Sequence, residues 1–152
     1  MPFDVPAEYR MLRSALSVPV AGGENVKGAK PFLPIFLENA IDIAQPDVMH
    51  CNGTDDFQTV LKLARHFGKR VSPHSYDGGL SRMYAVFGQA CLPPWTKMDG
   101  EDIEPLEWDA MENPFTQLVP VSIKNGCIQV PDKIEIDTEL VEAYGWDGSS
   151  YM

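Results

Sequence analysis

Residues 41–75 read IDIAQPDVMHCNGTDDFQTVLKLARHFGKRVSPHS, and the fold follows from how this stretch divides. A short apolar run closes on Gln45-Pro46-Asp47, and a second, Arg70-Val71-Ser72-Pro73, closes on His74. Between them Phe57, Val60, Leu61, Leu63 and Ala64 recur at helical spacing, which predicts a helix over 55–67. Strand, helix, strand is the unit that joins neighbours in a parallel sheet. Parallel neighbours finish on the same edge, so Asp47 and His74 are expected side by side at the carboxyl ends of their strands. That edge is where α/β proteins place their chemistry. The pair is the predicted functional centre.

The same alternation extends in both directions. Upstream, the spacing predicts a helix over 7–16, with Tyr9, Leu12 and Leu16 as a buried stripe and Arg10 and Arg13 in solvent. A buried strand is expected over 17–21, running into Gly22-Gly23-Glu24-Asn25, where two glycines permit a tight turn before a carboxylate. A helix over 31–39 follows. Downstream of His74, a loop leads to a helix over 80–91 that Pro93-Pro94 stops. Residues 95–104 read as a polar, acidic loop and 105–109 as one more short strand. Beyond Asn113 the pattern alternates around Asn125-Gly126, the signature of a two-residue hairpin, and a short helix is expected over 138–144.

Four predicted strand ends thus carry Glu24, Asp47, His74 and Glu107, spaced about 23, 27 and 33 residues apart. These spacings sit near the roughly 30 residues of one βα unit in a barrel. Four units make half of an eight-stranded barrel. They leave two unpaired edges, near Val18–Val20 and near Leu106, which favours a second copy or a complementing N-terminal half as partner.

Composition narrows the setting. A net charge of −10 argues against nucleic acid or an anionic membrane surface as partner. Hydrophobic content of 44% and charged content of 22% are globular values, with no run long enough to span a bilayer. No leader pattern opens the chain, and Cys51, Cys91 and Cys127 lack CxxC spacing, so reduced thiols in a cytoplasm are expected. Each residue also has a plainer role. Asp47 could cap the next segment, His74 could be a satisfied polar residue, and Glu24 and Glu107 could be solvated turn or strand-end groups. His66 falls on the wet face of its helix, whereas His50 at the strand mouth is either structural or in reach of a substrate. Gly78-Gly79 is a weak anion signal, and Cys51 has no histidine partner at catalytic spacing. Joint occurrence at four successive strand ends favours the functional reading.

These residues resemble the C-terminal half of the mandelate racemase branch of the enolase superfamily, which includes acid-sugar dehydratases. The matching pieces are Val18-Pro19-Val20-Ala21-Gly22-Gly23-Glu24-Asn25, Asp42-Ile43-Ala44-Gln45-Pro46-Asp47, Ser72-Pro73-His74-Ser75, Leu106-Glu107-Trp108-Asp109 with Asn113-Pro114, and Gly126 to Val130 with Pro131-Asp132. The resemblance implies an α/β fold: the C-terminal half of a TIM-type (β/α)7β barrel over 1–112. A hairpin and short helix would form a tail over 113–152 that packs toward a capping domain. It implies abstraction of the proton beside a carboxylate, with Mg²⁺ holding the enediolate. By the same resemblance Glu24 is a Mg²⁺ ligand, His74 the base or acid, Asp47 its orienting partner, and Glu107 a hydrogen-bonding group on the substrate carboxylate. Asn25 is expected beside the substrate, with shaping of the metal loop the alternative; His50 is a candidate substrate contact from its place at the strand mouth, with a structural role the alternative.

The other Mg²⁺ ligands, a lysine-bearing strand and the capping domain are expected outside this chain. Pro2 fits the proline of the family's Glu-x-Pro, and the Pro-Gly-x-Gly turn usual after Pro-Asp is replaced by Asp132-Lys133 running into Ile134. Acid-sugar dehydration is the expected reaction. Racemisation or epimerisation, or a non-catalytic remnant or assembly partner, are the alternatives. The isolated chain is expected to show no turnover.

Overall fold

The computed structural model describes residues 3–76, 79–93, 104–108 and 119–143. Three short strands, β1 (Ala21–Gly22), β2 (Ile43–Ala44) and β3 (Arg70–Val71), form a parallel sheet in sequence order. Ala21 is in register with Ile43 and Ile43 with Arg70; Gly22, Ala44 and Val71 form the next rung. Beyond these rungs one more parallel bridge joins Asp47 to His74.

Helices cross between the strands, as a parallel sheet requires. Helix α1 (Pro6–Ala15) precedes β1, α2 (Phe32–Leu37) links β1 to β2, and α3 (Thr54–His66) links β2 to β3. Helix α3 buries Phe57, Val60, Leu61 and Ala64, the apolar face of the quoted stretch, while Asp55 and Asp56 lie in its first turn and Arg65 and His66 in its last. That charge order complements the helix dipole. With Phe32, Ile35, Ile41 and Val71 these side chains form one core that excludes water almost completely. Helix α4 (Leu80–Ala90) packs on α3. The tail holds a hairpin, β4 (Ser122–Lys124) and β5 (Cys127–Gln129), and helix α5 (Thr138–Ala143). Asn125 and Gly126 turn the hairpin with φ of 52° and 75°, the left-handed pair that a two-residue turn demands. The fold is the expected α/β half-barrel with hairpin and short-helix tail.

Three local expectations fail. Leu12 on α1 and Leu16 just past its end are exposed rather than buried, because the helix meets the apolar core through Tyr9, edge-on to Phe3. Arg13, expected in solvent, is half-buried and pairs with Asp42 at 2.7 Å. The buried strand expected over 17–21 shrinks to Ala21–Gly22, and Val18 is 61% exposed. Pro19 offers no ladder donor, and the Val20 N–H is taken at 2.9 Å by the Asp42 carboxylate instead of a strand.

At the other edge, residues 104–108 form no strand among the described residues. Glu104, expected in a solvated acidic loop, is buried. Its carboxylate accepts the Val71 N–H at 3.0 Å and pairs with both terminal nitrogens of Arg65, so a side chain occupies the ladder position a fourth strand would fill. The expectations for Gly78, for most of the acidic loop, for Asp109, Asn113-Pro114 and Tyr144, lie outside the described residues. No helix among those residues is long and apolar enough to cross a membrane.

Candidate functional site

The sheet delivers Asp47 and His74 to adjacent positions. Each lies three residues past a strand and behind a proline (Pro46 or Pro73), which holds the chain extended. The His74 N–H donates to the Pro46 carbonyl at 3.1 Å. The side chains meet where the backbones do: His74 Nδ1 bonds Asp47 Oδ2 at 2.9 Å. The other Asp47 oxygen accepts the Met49 N–H at 2.8 Å, capping the 3-10 turn Val48–His50. Both groups are largely screened from water, with side-chain exposures of 10% for Asp47 and 18% for His74.

Two more carboxylates face the opposite nitrogen. Glu24 Oε2 lies 3.9 Å and Glu107 Oε2 4.0 Å from His74 Nε2. Glu24 sits on the turn after β1, where Gly23 adopts φ of 120° and a Cβ would collide with the Phe32 ring at 2.6 Å. Only glycine serves there. Glu107 comes from the irregular segment after Glu104, and its Oε2 also lies 3.4 Å from the Ser75 backbone nitrogen. Partial burial of the imidazole works against its charged form. The Asp47 hydrogen bond and the charges of Glu107, Asp47 and Glu24 outweigh it, so the His74 pKa is raised above its ordinary value.

The structure therefore brings Glu24, Asp47, His74 and Glu107 around one imidazole. Asn25 lies beside Glu24, its Nδ2 donating to Glu24 Oε1 at 3.2 Å. His50 is turned onto the backbone, its Nδ1–H donating to the Glu24 carbonyl at 2.8 Å. Glu24 and Asn25 also line a half-open cleft of about 600 Å³ with Phe3, Tyr9, Gly23 and Gln45. The sequence marks Tyr9 as a core residue and Gln45 as part of a strand end; it marks none of Phe3, Tyr9 and Gln45 as lining a site, since an isolated aromatic and a glutamine before a proline carry no spacing signal. Burial, with Asp56 and Asp47 nearby, pushes the Cys51 thiol up to about 11, which disfavours the nucleophilic thiolate.

A divalent cation needs several oxygen ligands. Asp47 is already engaged by His74 and Met49, and Glu24 offers one carboxylate. Among the described residues no three His, Cys, Asp or Glu side chains converge as a metal site. The described residues do not by themselves make a Mg²⁺ centre.

Residues 1–140 match the model of the enolase C-terminal domain-like family. The D-galactarolactone cycloisomerase of Agrobacterium fabrum is 34% identical over 136 residues, 87% of this chain and 36% of that protein. The arabinonate dehydratase of Saccharolobus solfataricus is 30% identical over 80% of this chain and 31% of that protein. Among solved structures, the 3,6-anhydro-D-galactonate cycloisomerase of Zobellia galactanivorans superposes with a TM-score of 0.79 at 24% identity, covering 95% of this chain and 40% of that one. The chain spans about a third of the length of the curated relatives it matches.

Proposed function

Because the chain belongs to the enolase C-terminal domain-like family, we propose that it carries the acid–base half of an enzyme that removes the proton α to the carboxylate of a sugar acid. The observation that carries this reading is the division of labour on one ring. Nδ1 is bound by Asp47 at 2.9 Å, which leaves Nε2 as the working nitrogen, held between two carboxylates.

In the neutral ring the Nδ1–H points at Asp47 and the Nε2 lone pair takes the α-proton. Asp47 stabilises the imidazolium that forms, as a buried carboxylate does for a catalytic histidine. The same Nε2–H can then be given to the hydroxyl leaving the β-carbon. One C–H and one C–O bond break, water departs, and the enol rearranges to a 2-keto acid. Glu107, on the Nε2 side of the ring, is placed to hydrogen-bond a substrate oxygen. Glu24 can supply one oxygen to a cation completed by residues outside this chain. Residues 1–152 alone are therefore predicted to give no turnover, in a reducing cytoplasm or in a cuvette.

Dehydration of an open-chain sugar acid is the first reading. The 34% identical lactone cycloisomerase favours a second, in which the departing β-oxygen belongs to a ring. Both begin with the same proton transfer. The test is a chimera in which residues 1–140 replace the stretch they match in that relative, incubated in D₂O with aldonic and aldaric acids. Deuterium at the α-carbon or a keto-acid product is expected, and both should vanish with His74→Asn. Exchange that persists in the variant contradicts the proposal.

A further inference from the structure

The turn that follows Asp47 does more than cap itself. Residues 47–50 form a bridge between the Asp47–His74 pair and the loop that bears Glu24. At one end Asp47 Oδ1 accepts the Met49 N–H, and the Asp47 carbonyl accepts the His50 N–H at 3.1 Å. At the other end the His50 ring donates to the Glu24 carbonyl at 2.8 Å, while the His50 carbonyl accepts the Gly28 N–H at 3.1 Å. His50 thus grips the 24–28 loop at two points, one through its side chain and one through its backbone.

That loop needs an external hold. It is entered through Gly22-Gly23, and its Glu24 and Asn25 side chains are exposed. Its internal backbone bond is one turn, Val26 N–H to the Gly23 carbonyl at 3.1 Å. A second clamp lies further on, where Asp56 accepts the Ala29 N–H at 3.1 Å, five residues from the carboxylate. Of the bonds to other elements, the His50 ring acts on Glu24 itself.

We propose that His50 is a positioning residue: its Nδ1–H fixes the backbone of Glu24 and so sets the separation between the Glu24 carboxylate and His74 Nε2. The inference rests on the proposed function for its catalytic consequence but not for its geometry. A carbonyl accepts only, so the neutral ring must hold its proton on Nδ1. His50 is then not free to bind substrate through that nitrogen. A displacement of about 1 Å between reacting groups can cost on the order of 10²-fold in rate.

Two variants separate positioning from bulk. His50→Phe keeps a ring of similar size and loses the donor; His50→Asn places an amide nitrogen near the Nδ1 position. In the 152-residue chain, nuclear magnetic resonance should show His50 as the Nδ1–H tautomer, with the Glu24 carbonyl carbon and Gly28 amide shifting in His50→Phe and returning in His50→Asn. In the chimera, His50→Phe should lower the saturated α-exchange rate about tenfold to a hundredfold with KM changed less than threefold, and His50→Asn should restore most of it. An Nε2–H tautomer, or an unmoved Glu24 carbonyl in His50→Phe, overturns the proposal. A chimera with native His50 that exchanges nothing overturns the functional reading instead, and the resonance data still decide the positioning claim.

Discussion

The two sides of the His74 ring are built by different means. On the Nδ1 side, Asp47 is 10% exposed, joined to His74 by a backbone bridge as well as a 2.9 Å side-chain bond. On the Nε2 side, Glu24 and Glu107 are 51% and 39% exposed and stand 3.9 and 4.0 Å away. The first side is set by the sheet, whose register leaves no freedom. The second is set by loops, one glycine-led and one irregular. On the proposed reading, the rigid face holds the tautomer of the base while the loop-borne face meets the substrate.

The largest break in this comparison is removal of the ring. His74→Asn in the chimera should lower α-deuterium incorporation by about 10³-fold, within the range of general acid–base contributions, measured by proton resonance loss in D₂O. Asp47→Asn attacks the rigid face. The exchange rate should fall about 10²-fold, and its pH dependence should move. Because the folded His74 pKa lies above its ordinary value, the base form, and with it the rate, rises as pH climbs through that raised value. Without the Asp47 charge the midpoint should shift to lower pH. The stability contribution of protonated His74 has the same origin. It is fully present below the unfolded value near 6.5 and is lost as pH rises through the folded one.

Glu104→Gln sharpens the comparison from a distance, since Glu104 closes the outer edge of β3, the strand that carries His74. Breaking a buried pair with Arg65 should destabilise the fold by about 3 kcal/mol in urea titrations. Glu107→Gln touches the loop-borne face and should be the mildest, about tenfold in exchange at saturating substrate with little change in unfolding.

The contrast also explains what could be read from sequence. Apolar runs ending in Gln45-Pro46-Asp47 and Ser72-Pro73-His74, with a helical period between them, fix two parallel strands, and parallelism puts both ends on one rim. Nothing in that logic depends on distant residues. The side chains of Glu24 and Glu107 do depend on them, and only the coordinates give their separations. Glu104 was misjudged for a related reason. An acidic residue in a run of acidic residues reads as solvated, and its burial follows from Arg65, 39 positions away. Leu12 and Leu16 show the converse: their period was right for a helix, but periodicity does not say whether another element covers the stripe. His50 stood at the right place in the chain, and only its ring bond at 2.8 Å assigns it to the Glu24 backbone.

The most direct test of the account needs only the 152-residue chain and nitrogen-15 spectra of the His74 ring across a pH series. Nδ1 should keep its proton throughout, bound to Asp47, while Nε2 loses its proton at a pH above 6.5. Loss of the proton from Nδ1, or titration at or below the ordinary histidine value, would contradict the account.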